Sequence, residues 1–240
     1  MSDPWNEHAE WWQREFTDGA DPEYTEQILP LIAQHLPEGG RLIDVGCGEG
    51  QVARLAAELG LDVLGIDPAG AQIDVATERG GGPEYRVGSA TDISEPDASA
   101  DAVVACLVFE HIEDLDAALA EVARVLRPGG TFLFLLNHPL LQTPGSGWID
   151  DQVLDPPEQY WRIGPYLAET DTLEEVERGV FIRFFHRPLS RYLNIAADVG
   201  LTLRRMEEPA PPPGFLARAE EYLDAASVPR LLFLRFERSA

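Results

Sequence analysis

The fold of this chain is decided by the stretch Leu42-Ile43-Asp44-Val45-Gly46-Cys47-Gly48-Glu49-Gly50. A short apolar strand ends in an acidic residue and continues into a turn with glycine at every second position. Glycine accepts backbone angles that are closed to other residues, and without a Cβ the chain can lie close against a ligand. In open α/β sheets, ligands bind at such a turn after a parallel strand. The stretch therefore predicts an α/β fold with a ligand site at this turn.

The spacing of the glycines narrows the choice of ligand. The dinucleotide fingerprint G-x-G-x-x-G would need a third glycine where Gln51 stands. The phosphate loop G-x-x-x-x-G-K-[ST] is absent, because the chain contains no lysine. Neither of these phosphate-binding motifs is therefore expected.

The segments after the glycine turn supply further strands of a parallel sheet. Asp62–Asp67 is a second strand that ends in a carboxylate able to accept the two hydroxyls of a ribose. Apolar strands alternate with helical patterns, which predicts a doubly wound sheet. The later parts of the series are the strand and turn 85–90, the strand 101–106, the turn 107–112, and the helix end and strand 123–136.

Roughly residues 40–137 resemble class I S-adenosylmethionine-dependent methyltransferases of the small-molecule, type 11-like group. The resemblance is carried by the motif Asp44-x-Gly46-x-Gly48-x-Gly50 and by the strands and turns that follow it. The resemblance implies a Rossmann-like, mostly parallel seven-stranded sheet whose last strand is antiparallel. It also implies S-adenosyl-L-methionine as cofactor and S-adenosyl-L-homocysteine as product.

The resemblance assigns cofactor contacts residue by residue. Asp44 would reach the methionine ammonium or simply cap its own turn, and Asp67 would accept the ribose hydroxyls. Relatives carry Gly-Asp-Ala at the adenine, where this chain has Gly88-Ser89-Ala90, so either Ser89 or Asp92 would take that part. The full predicted cofactor set is Trp12, Tyr24, Asp44, Gly46, Cys47, Gly48, Asp67, Pro68, Ser89, Ala90, Cys106 and Leu107.

Three histidines are candidate catalytic bases. His111 matches a frequent family histidine after the fourth strand, His138 directly follows the fifth strand, and His186 opens the last helix. Histidine is the side chain best suited to proton transfer near neutral pH. For each of them, a hydrogen-bonded structural role is the alternative. The sequence contains no pair of potential metal ligands at a spacing typical of metal sites, so no metal site is predicted.

The charge and composition of the chain limit the classes of molecule that it is expected to bind. The formal net charge is −24, and all 18 basic residues are arginine, so a nucleic-acid substrate is not expected. High genomic GC content or adaptation to salt would both explain this bias. No apolar run is long enough for a membrane span, and the start of the chain does not resemble a signal peptide. Two cysteines, both in predicted core turns, favour a cytoplasmic setting, with the chain a monomer or homodimer.

A single domain of four parts is expected. These are N-terminal helices at 1–39 (5–18 and 22–36), a cofactor-binding core at 40–137, a cap insertion at 138–186, and a C-terminal helix and strands at 187–240. The cap insertion is rich in aromatics, namely Trp148, Tyr160, Trp161 and Tyr166, and is too long for an ordinary connection. It is predicted to cover the cofactor site, with helix near 170–178. A loop and a helix are expected at about 214–226, between the last two strands.

The predicted function is transfer of a methyl group to the oxygen or nitrogen of a small molecule, with an optional histidine base. Orientation in a dry site accounts for much of such catalysis. Two alternatives remain open: a non-catalytic, S-adenosylmethionine-binding regulatory protein, and a decarboxylase- or cyclase-like enzyme that reuses the fold.

Overall fold

The computed structural model describes residues 4–17, 19–222 and 224–240. Its strands are β1 Arg41–Val45, β2 Asp62–Asp67, β3 Glu84–Val87, β4 Ala100–Cys106, β5 Leu126–Asn137, β6 Gly147–Asp151, β7 Glu158–Arg162, β8 Thr170–Glu177, β9 Val180–His186, β10 Leu201–Glu207 and β11 Leu231–Arg238. Its α-helices are α1 Pro4–Glu7, α2 Ala9–Phe16, α3 Leu29–His35, α4 Gln51–Glu58, α5 Gly70–Arg79, α6 Leu115–Val125, α7 Leu189–Asp198 and α8 Pro213–Leu216.

Seven strands form the central sheet, in the order β10-β11-β5-β4-β1-β2-β3. Strands β1 to β5 pair in parallel, while β11 lies antiparallel between β5 and β10. The sheet order reverses at β1 and β4, so the carboxyl ends of these strands flank the place where such sheets bind ligands. The predicted mostly parallel, seven-stranded fold is confirmed.

Helices cover both faces of the sheet, which explains the almost continuous burial of its central strands. On one face, α6 and α7 pack Leu119 and Ile195 against Phe134. On the other, α3 and α4 pack Ile32 and Val52 with their neighbours. A π-helical turn, Tyr24–Ile28, leads directly into α3. The predicted helix 5–18 is split at His8, and residue 18, its predicted end, lies outside the described residues.

The cap insertion consists of two β-hairpins, β6–β7 and β8–β9, each a separate two-stranded antiparallel sheet. The prediction of helix near 170–178 is wrong, because this segment is strand β8 paired along its length with β9. Thr172, Glu174 and the residues between them alternate between the two faces of the hairpin. The many acidic residues of this segment obscure the two-residue alternation in the sequence. Pairing with β9 stabilises the strand conformation.

The segment between β10 and β11 is mostly irregular. Of the loop and helix predicted at about 214–226, the helix is reduced to a single turn, α8, and a 3₁₀ turn at Ala225–Ser227 is the other regular part of the described residues there. Residue 223 lies outside the described residues. Instead of a helix, contacts to the N-terminal elements hold the segment, for example Glu26, which accepts from the backbone N–H of Gly214 at 2.9 Å. Within the described ranges, no helix combines the length and apolarity needed to cross a bilayer.

Candidate active site

A cavity with about 1000 Å³ of empty space, its open mouth included, lies at the carboxyl ends of β1, β2 and β4. All twelve residues of the predicted cofactor set line this one cavity, and so does His111. The walls are formed by Trp5, Trp12, Tyr24, Asp44, Gly46, Cys47, Gly48, Glu49, Gln51, Val52, Asp67, Pro68, Gln72, Ser89, Ala90, Thr91, Cys106, Leu107, Val108, His111 and Ile112.

The glycine turn brings bare backbone to the cavity. Gly46 has φ +72°, and a Cβ there would lie 2.5 Å from the side chain of Val108, so the turn after β4 packs directly on it. Gly48 has φ +53°, and a Cβ there would find only the Trp12 Nε1 atom, 3.8 Å away. Gly46 therefore permits packing of two turns, whereas Gly48 leaves space open towards the cavity.

Asp67 ties the glycine turn to the end of β2. Its Oδ2 accepts from the Gly48 N–H at 3.0 Å, and its Oδ1 accepts from the Ala69 N–H at 2.8 Å. The carboxylate is thus fixed in orientation at the cavity wall. A substitution at Asp67 would loosen the turn as well as remove an acceptor.

Asp44 is a buried carboxyl group with an unsatisfied oxygen. The side chain is almost fully buried, and its Oδ2 has no hydrogen-bond partner among the described residues. Burial, followed by the nearby Asp67 carboxylate, raises the pKa of Asp44 to about 8. An unpaired buried oxygen at a cavity wall is costly unless a donor reaches it.

The turn after β3 provides hydroxyl groups where relatives have a carboxylate. Ser89 Oγ lies 2.9 Å from Thr91 Oγ1, and Ser89, Ala90 and Thr91 all line the cavity. Asp92 is not among the lining residues; its N–H bonds back to Ser89 O at 3.2 Å. Of the two alternatives for the adenine position, the structure brings Ser89 to the cavity and leaves Asp92 outside.

The N-terminal helices form one wall. Trp12 stacks on Phe16 with ring centroids 4.3 Å apart, and Trp5 meets the edge of Trp12 at 5.5 Å. Trp12 therefore packs its helix and also lines the cavity. Tyr24 lines the same wall, and burial raises the pKa of its hydroxyl well above the usual value.

His111 lines the cavity and has one ring nitrogen in a hydrogen bond to the cap insertion. It lies in the 3₁₀ turn Phe109–His111 after β4, and its Nδ1 is 2.9 Å from the carbonyl oxygen of Arg183 on β9. Its ring is flanked by Trp5 at 4.8 Å and Phe184 at 4.6 Å. Burial lowers the pKa of His111 to about 4, so the imidazole is neutral at pH 7.

His138 and His186 lie outside the cavity, engaged in hydrogen bonds of their own. The Leu140 N–H donates to His138 Nδ1 at 3.2 Å, so Nε2 donates to Glu208 at 2.7 Å. His186 Nε2 donates to the carbonyl oxygen of Tyr166 at 2.8 Å. Both histidines are buried. Their surroundings match the structural alternative that the sequence left open.

The aromatic residues of the cap insertion are not cavity walls. Trp148 contacts Trp161 and stacks on Tyr222 at 5.2 Å, so hairpin β6–β7 packs on the segment before β11. The Tyr166 hydroxyl oxygen accepts from the Leu189 N–H at the start of α7, at 2.8 Å. The cap insertion reaches the site through the β8–β9 hairpin, whose Arg183 and Phe184 contact His111.

Several lining residues had not been predicted from the sequence. They are Trp5, Glu49, Gln51, Val52, Gln72, Thr91, Val108 and Ile112. Val108 and Ile112 flank predicted positions in the turn after β4, so their place in that turn could have found them. Trp5 comes from the other end of the chain, and no local pattern marks it. The free thiols of Cys47 and Cys106 are buried, which raises the pKa of each and leaves neither an activated nucleophile.

No cluster of metal-ligating side chains is found in the described part of the chain. The cavity instead combines three buried carboxyl groups, a glycine turn, hydroxyls and aromatic rings. These features can hold a polar organic molecule with a cationic group at one end and a planar group at the other.

Comparison with known proteins points to one family. A sequence model described as a methyltransferase domain matches residues 43–134. A ubiquinone biosynthesis O-methyltransferase of Sinorhizobium medicae is 36% identical over 179 residues, which is 68% of this chain and 70% of that protein. A malonyl-[acyl-carrier protein] O-methyltransferase of Serratia marcescens is 39% identical over 124 residues, 51% of this chain. That match spans about half of the Serratia protein, 48% of its length.

Solved structures share the fold along most of the chain. An S-adenosylmethionine-dependent methyltransferase from Mesorhizobium loti superposes with a TM-score of 0.75 at 28% identity, covering 87% of this chain and 96% of that one. A Listeria monocytogenes structure described as a putative S-adenosylmethionine-dependent methyltransferase gives a TM-score of 0.75 at 26% identity, covering 91% and 97%.

Proposed function

The chain belongs to the class I S-adenosylmethionine-dependent methyltransferases, and from this premise we propose that it methylates a hydroxyl oxygen of a small, uncharged, planar acceptor, with His111 as the general base. The observation that carries the proposal is the fixed tautomer of His111 at the cavity wall.

The cavity fits the family's cofactor at both of its polar ends. The unpaired buried Oδ2 of Asp44 would accept from the methionine ammonium, and the Asp67 carboxylate at the cavity wall would face the ribose. Gly48 leaves space where a side chain would intrude. When bound, S-adenosylmethionine supplies a methyl group that is already activated on a sulfonium. The protein therefore mainly has to orient the acceptor, exclude water and remove a proton.

The hydrogen bond to Arg183 decides which nitrogen of His111 can act as a base. A carbonyl oxygen can only accept, so Nδ1 carries the hydrogen and Nε2 keeps its lone pair. The low pKa of the ring keeps that lone pair free at neutral pH. A neutral imidazole can then accept the proton of an acceptor hydroxyl as the oxygen loses it.

The aromatic wall supports a planar acceptor. Trp5 and Trp12 stand beside His111 and the glycine turn, and their rings exclude water from that end of the cavity. Flat apolar rings offer large contact areas to other flat rings. The same wall would shield a developing charge from solvent.

Electrostatics support an uncharged acceptor. The described lining residues include the carboxyl groups of Asp44, Glu49 and Asp67 and no arginine. The whole chain carries a formal charge of −24. An acidic acceptor or an acidic carrier protein would be repelled in the field of the whole protein and by the Asp67 carboxylate at the wall. The Serratia relative is named for an acceptor on acyl-carrier protein, so we propose that this chain differs in its acceptor.

A matched pair of acceptors tests the proposal. Catechol and 3,4-dihydroxybenzoate share the reacting hydroxyls and differ in one carboxylate. We expect methylated product from catechol, identified by mass spectrometry, with kcat/KM at least about tenfold above the acid, since repulsion of one charge in a partly buried site amounts to roughly that factor. Equal or better use of the acid would overturn the acceptor class.

The same assay separates the two alternatives from methyl transfer. A regulatory protein would bind the cofactor, measured by calorimetry, without consuming it in the presence of any acceptor or cell extract. A decarboxylase- or cyclase-like enzyme would change the mass of its substrate by something other than one methyl group.

A further inference from the structure

We propose that Arg187 is a positioning residue that fixes the His111 turn, so that the β8–β9 hairpin sets the orientation of the base. This inference rests on the proposed function for the role of His111. The attachment itself is a property of the free protein and can be measured without cofactor or acceptor.

Arg187 is a buried guanidinium bound to backbone carbonyls of a single turn. Its side chain is 6% exposed. Nη1 donates to Phe109 O at 3.3 Å, and Nη2 donates to Ile112 O at 2.7 Å and to Glu113 O at 2.8 Å. These three carbonyls surround His111 on both sides along the chain, so one side chain holds the whole turn.

The chemistry of arginine suits this task. The guanidinium is planar, carries five N–H donors in a fixed fork and is always charged, so it can serve several carbonyls at once. Phe109 O also accepts from the Ile112 N–H at 3.3 Å, while Ile112 O and Glu113 O lie at the end of the turn, where carbonyls attract a cation. The guanidinium also lies over the Phe185 ring at 5.3 Å, which fills its apolar side.

The turn needs an external attachment because it begins under strain. Leu107 has φ +58°, a region that residues with a branched side chain rarely occupy. Such backbone angles persist where the surroundings over-determine them. Leu107 is held on the sheet side by its N–H bond to Leu135 O at 3.0 Å. Arg187 supplies the attachment at the other end of the same turn.

Both attachments of His111 come from one short piece of chain. Arg183 O on β9 accepts from the ring, and Arg187, four residues later, holds the backbone. The ring and its backbone are therefore positioned by the same strand end. A base held in this way presents Nε2 in one direction, and small misplacements of a catalytic group are known to cost large factors in rate.

The first experiment observes the His111 ring by NMR in the protein alone. In the wild type we expect the Nδ1–H tautomer and no titration above about pH 5, in line with a pKa of about 4. In Arg187→Met the turn should loosen, so that the ring samples both tautomers and titrates nearer the ordinary histidine value of about 6.5. Arg187→Lys, which keeps the charge and part of the donor set, should restore the wild-type behaviour in part.

Arg238→Met is the matched control. Arg238 also donates to backbone carbonyls, those of Arg124 and Leu126, but on another part of the sheet. Its loss should leave the His111 tautomer and titration unchanged. If Arg187→Met is folded by circular dichroism and its His111 spectrum matches the wild type, the proposal is overturned. If Arg187→Met does not fold, Arg187→Gln, which also loses the charged guanidinium fork, is compared with the wild type by the same criterion.

The second experiment measures turnover and separates this proposal from the proposed function. Arg187→Met should lower kcat on catechol by about ten- to a hundredfold, below the factor of about 10²–10⁴ expected for losing a base. Its affinity for S-adenosylhomocysteine and its KM should stay within about twofold. The double variant with His111→Ala should be no slower than His111→Ala alone. If His111→Ala itself is fully active, the base assignment fails, while the NMR result still decides the role of Arg187.

Discussion

The two hairpins of the cap insertion differ in what they contact, although both are two-stranded and come from one stretch of chain. Hairpin β6–β7 packs Trp148 on Tyr222, away from the cavity. Hairpin β8–β9 contacts His111 and also reaches the N-terminal helix, where Glu177 accepts from Trp11 Nε1 at 2.7 Å. Neither hairpin supplies a cavity wall. An insertion can therefore act on a site by orienting one core residue rather than by covering the ligand.

The largest loss of turnover is expected from substitution of His111, the residue that hairpin β8–β9 contacts. His111→Ala should lower kcat by about 10²–10⁴, the usual contribution of a general base, with cofactor affinity nearly unchanged. His138→Ala, which breaks a buried pair with Glu208 outside the cavity, is the matched control and should keep its turnover. Steady-state kinetics with saturating cofactor would measure both. An equal loss of kcat in the two variants would contradict the view that His111, and not His138, acts at the site.

The pH profile of kcat sharpens the same point. The neutral imidazole is the active form, and it is present above the folded-state pKa of about 4 and lost as the pH falls through that value. We expect kcat at saturating cofactor to show no decline near pH 6.5, where an ordinary histidine would protonate. A loss of activity centred at about 6.5 would mean that His111 is solvated in solution.

Affinity for S-adenosylhomocysteine is expected to change about tenfold per pH unit because of Asp44, which lies at the end of the cavity that neither hairpin contacts. Asp44 has a pKa of about 8, so at pH 7 the free protein carries a proton there that must leave before the carboxylate can pair with an ammonium. Affinity for S-adenosylhomocysteine should rise about tenfold per unit between roughly pH 5.5 and 7.5. Calorimetry in buffers of different ionisation enthalpy should detect nearly one proton released. Asp44→Asn should release none, and a wild type that behaves like this variant would remove Asp44 from the site.

A smaller effect should distinguish the aromatic contacts of the two hairpins. Phe184→Ala removes a ring packed 4.6 Å from His111, and an aromatic pair contributes about 0.5–1.5 kcal/mol. We expect turnover to fall by about two- to tenfold. Trp148→Ala should lower the melting temperature and leave turnover of the folded protein unchanged. A loss of turnover in Trp148→Ala would show that β6–β7 also acts on the site.

The smallest effect is expected at the exposed link between β8–β9 and the N-terminal helix. Glu177 bonds to Trp11 and to Arg14, whose nearest nitrogen lies 3.1 Å away, and its side chain is 48% exposed. Exposed pairs of this kind are screened by water and salt, so Glu177→Gln should change cofactor affinity by less than about threefold. The difference should vanish at high salt. A large change in a binding assay would mean that this link governs access to the cavity.

The cavity wall at the glycine turn could be predicted from the sequence because the pattern that marks it is local. The glycine turn, Asp44 and Asp67 each lie at the end of a strand that the sequence marks clearly, and parallel strands bring their carboxyl ends to one edge. The choice among the three histidines could not be predicted. All three follow strands, and only long-range contacts show that His138 Nε2 is engaged by Glu208 and His186 Nε2 by Tyr166, outside the cavity.

The sequence alone determined the family, the sheet and the cofactor turn, since these depend on short-range patterns of apolar and glycine residues that leave few foldings open. Only the tertiary structure decided that 170–177 is a strand, that the cap aromatics face away from the cavity, and that Arg187 reaches the His111 turn. The physical reason is that each of these depends on partners far along the chain. Which strands pair, which rings pack and where a guanidinium is buried all depend on contacts between distant residues. Local sequence patterns do not reveal these contacts.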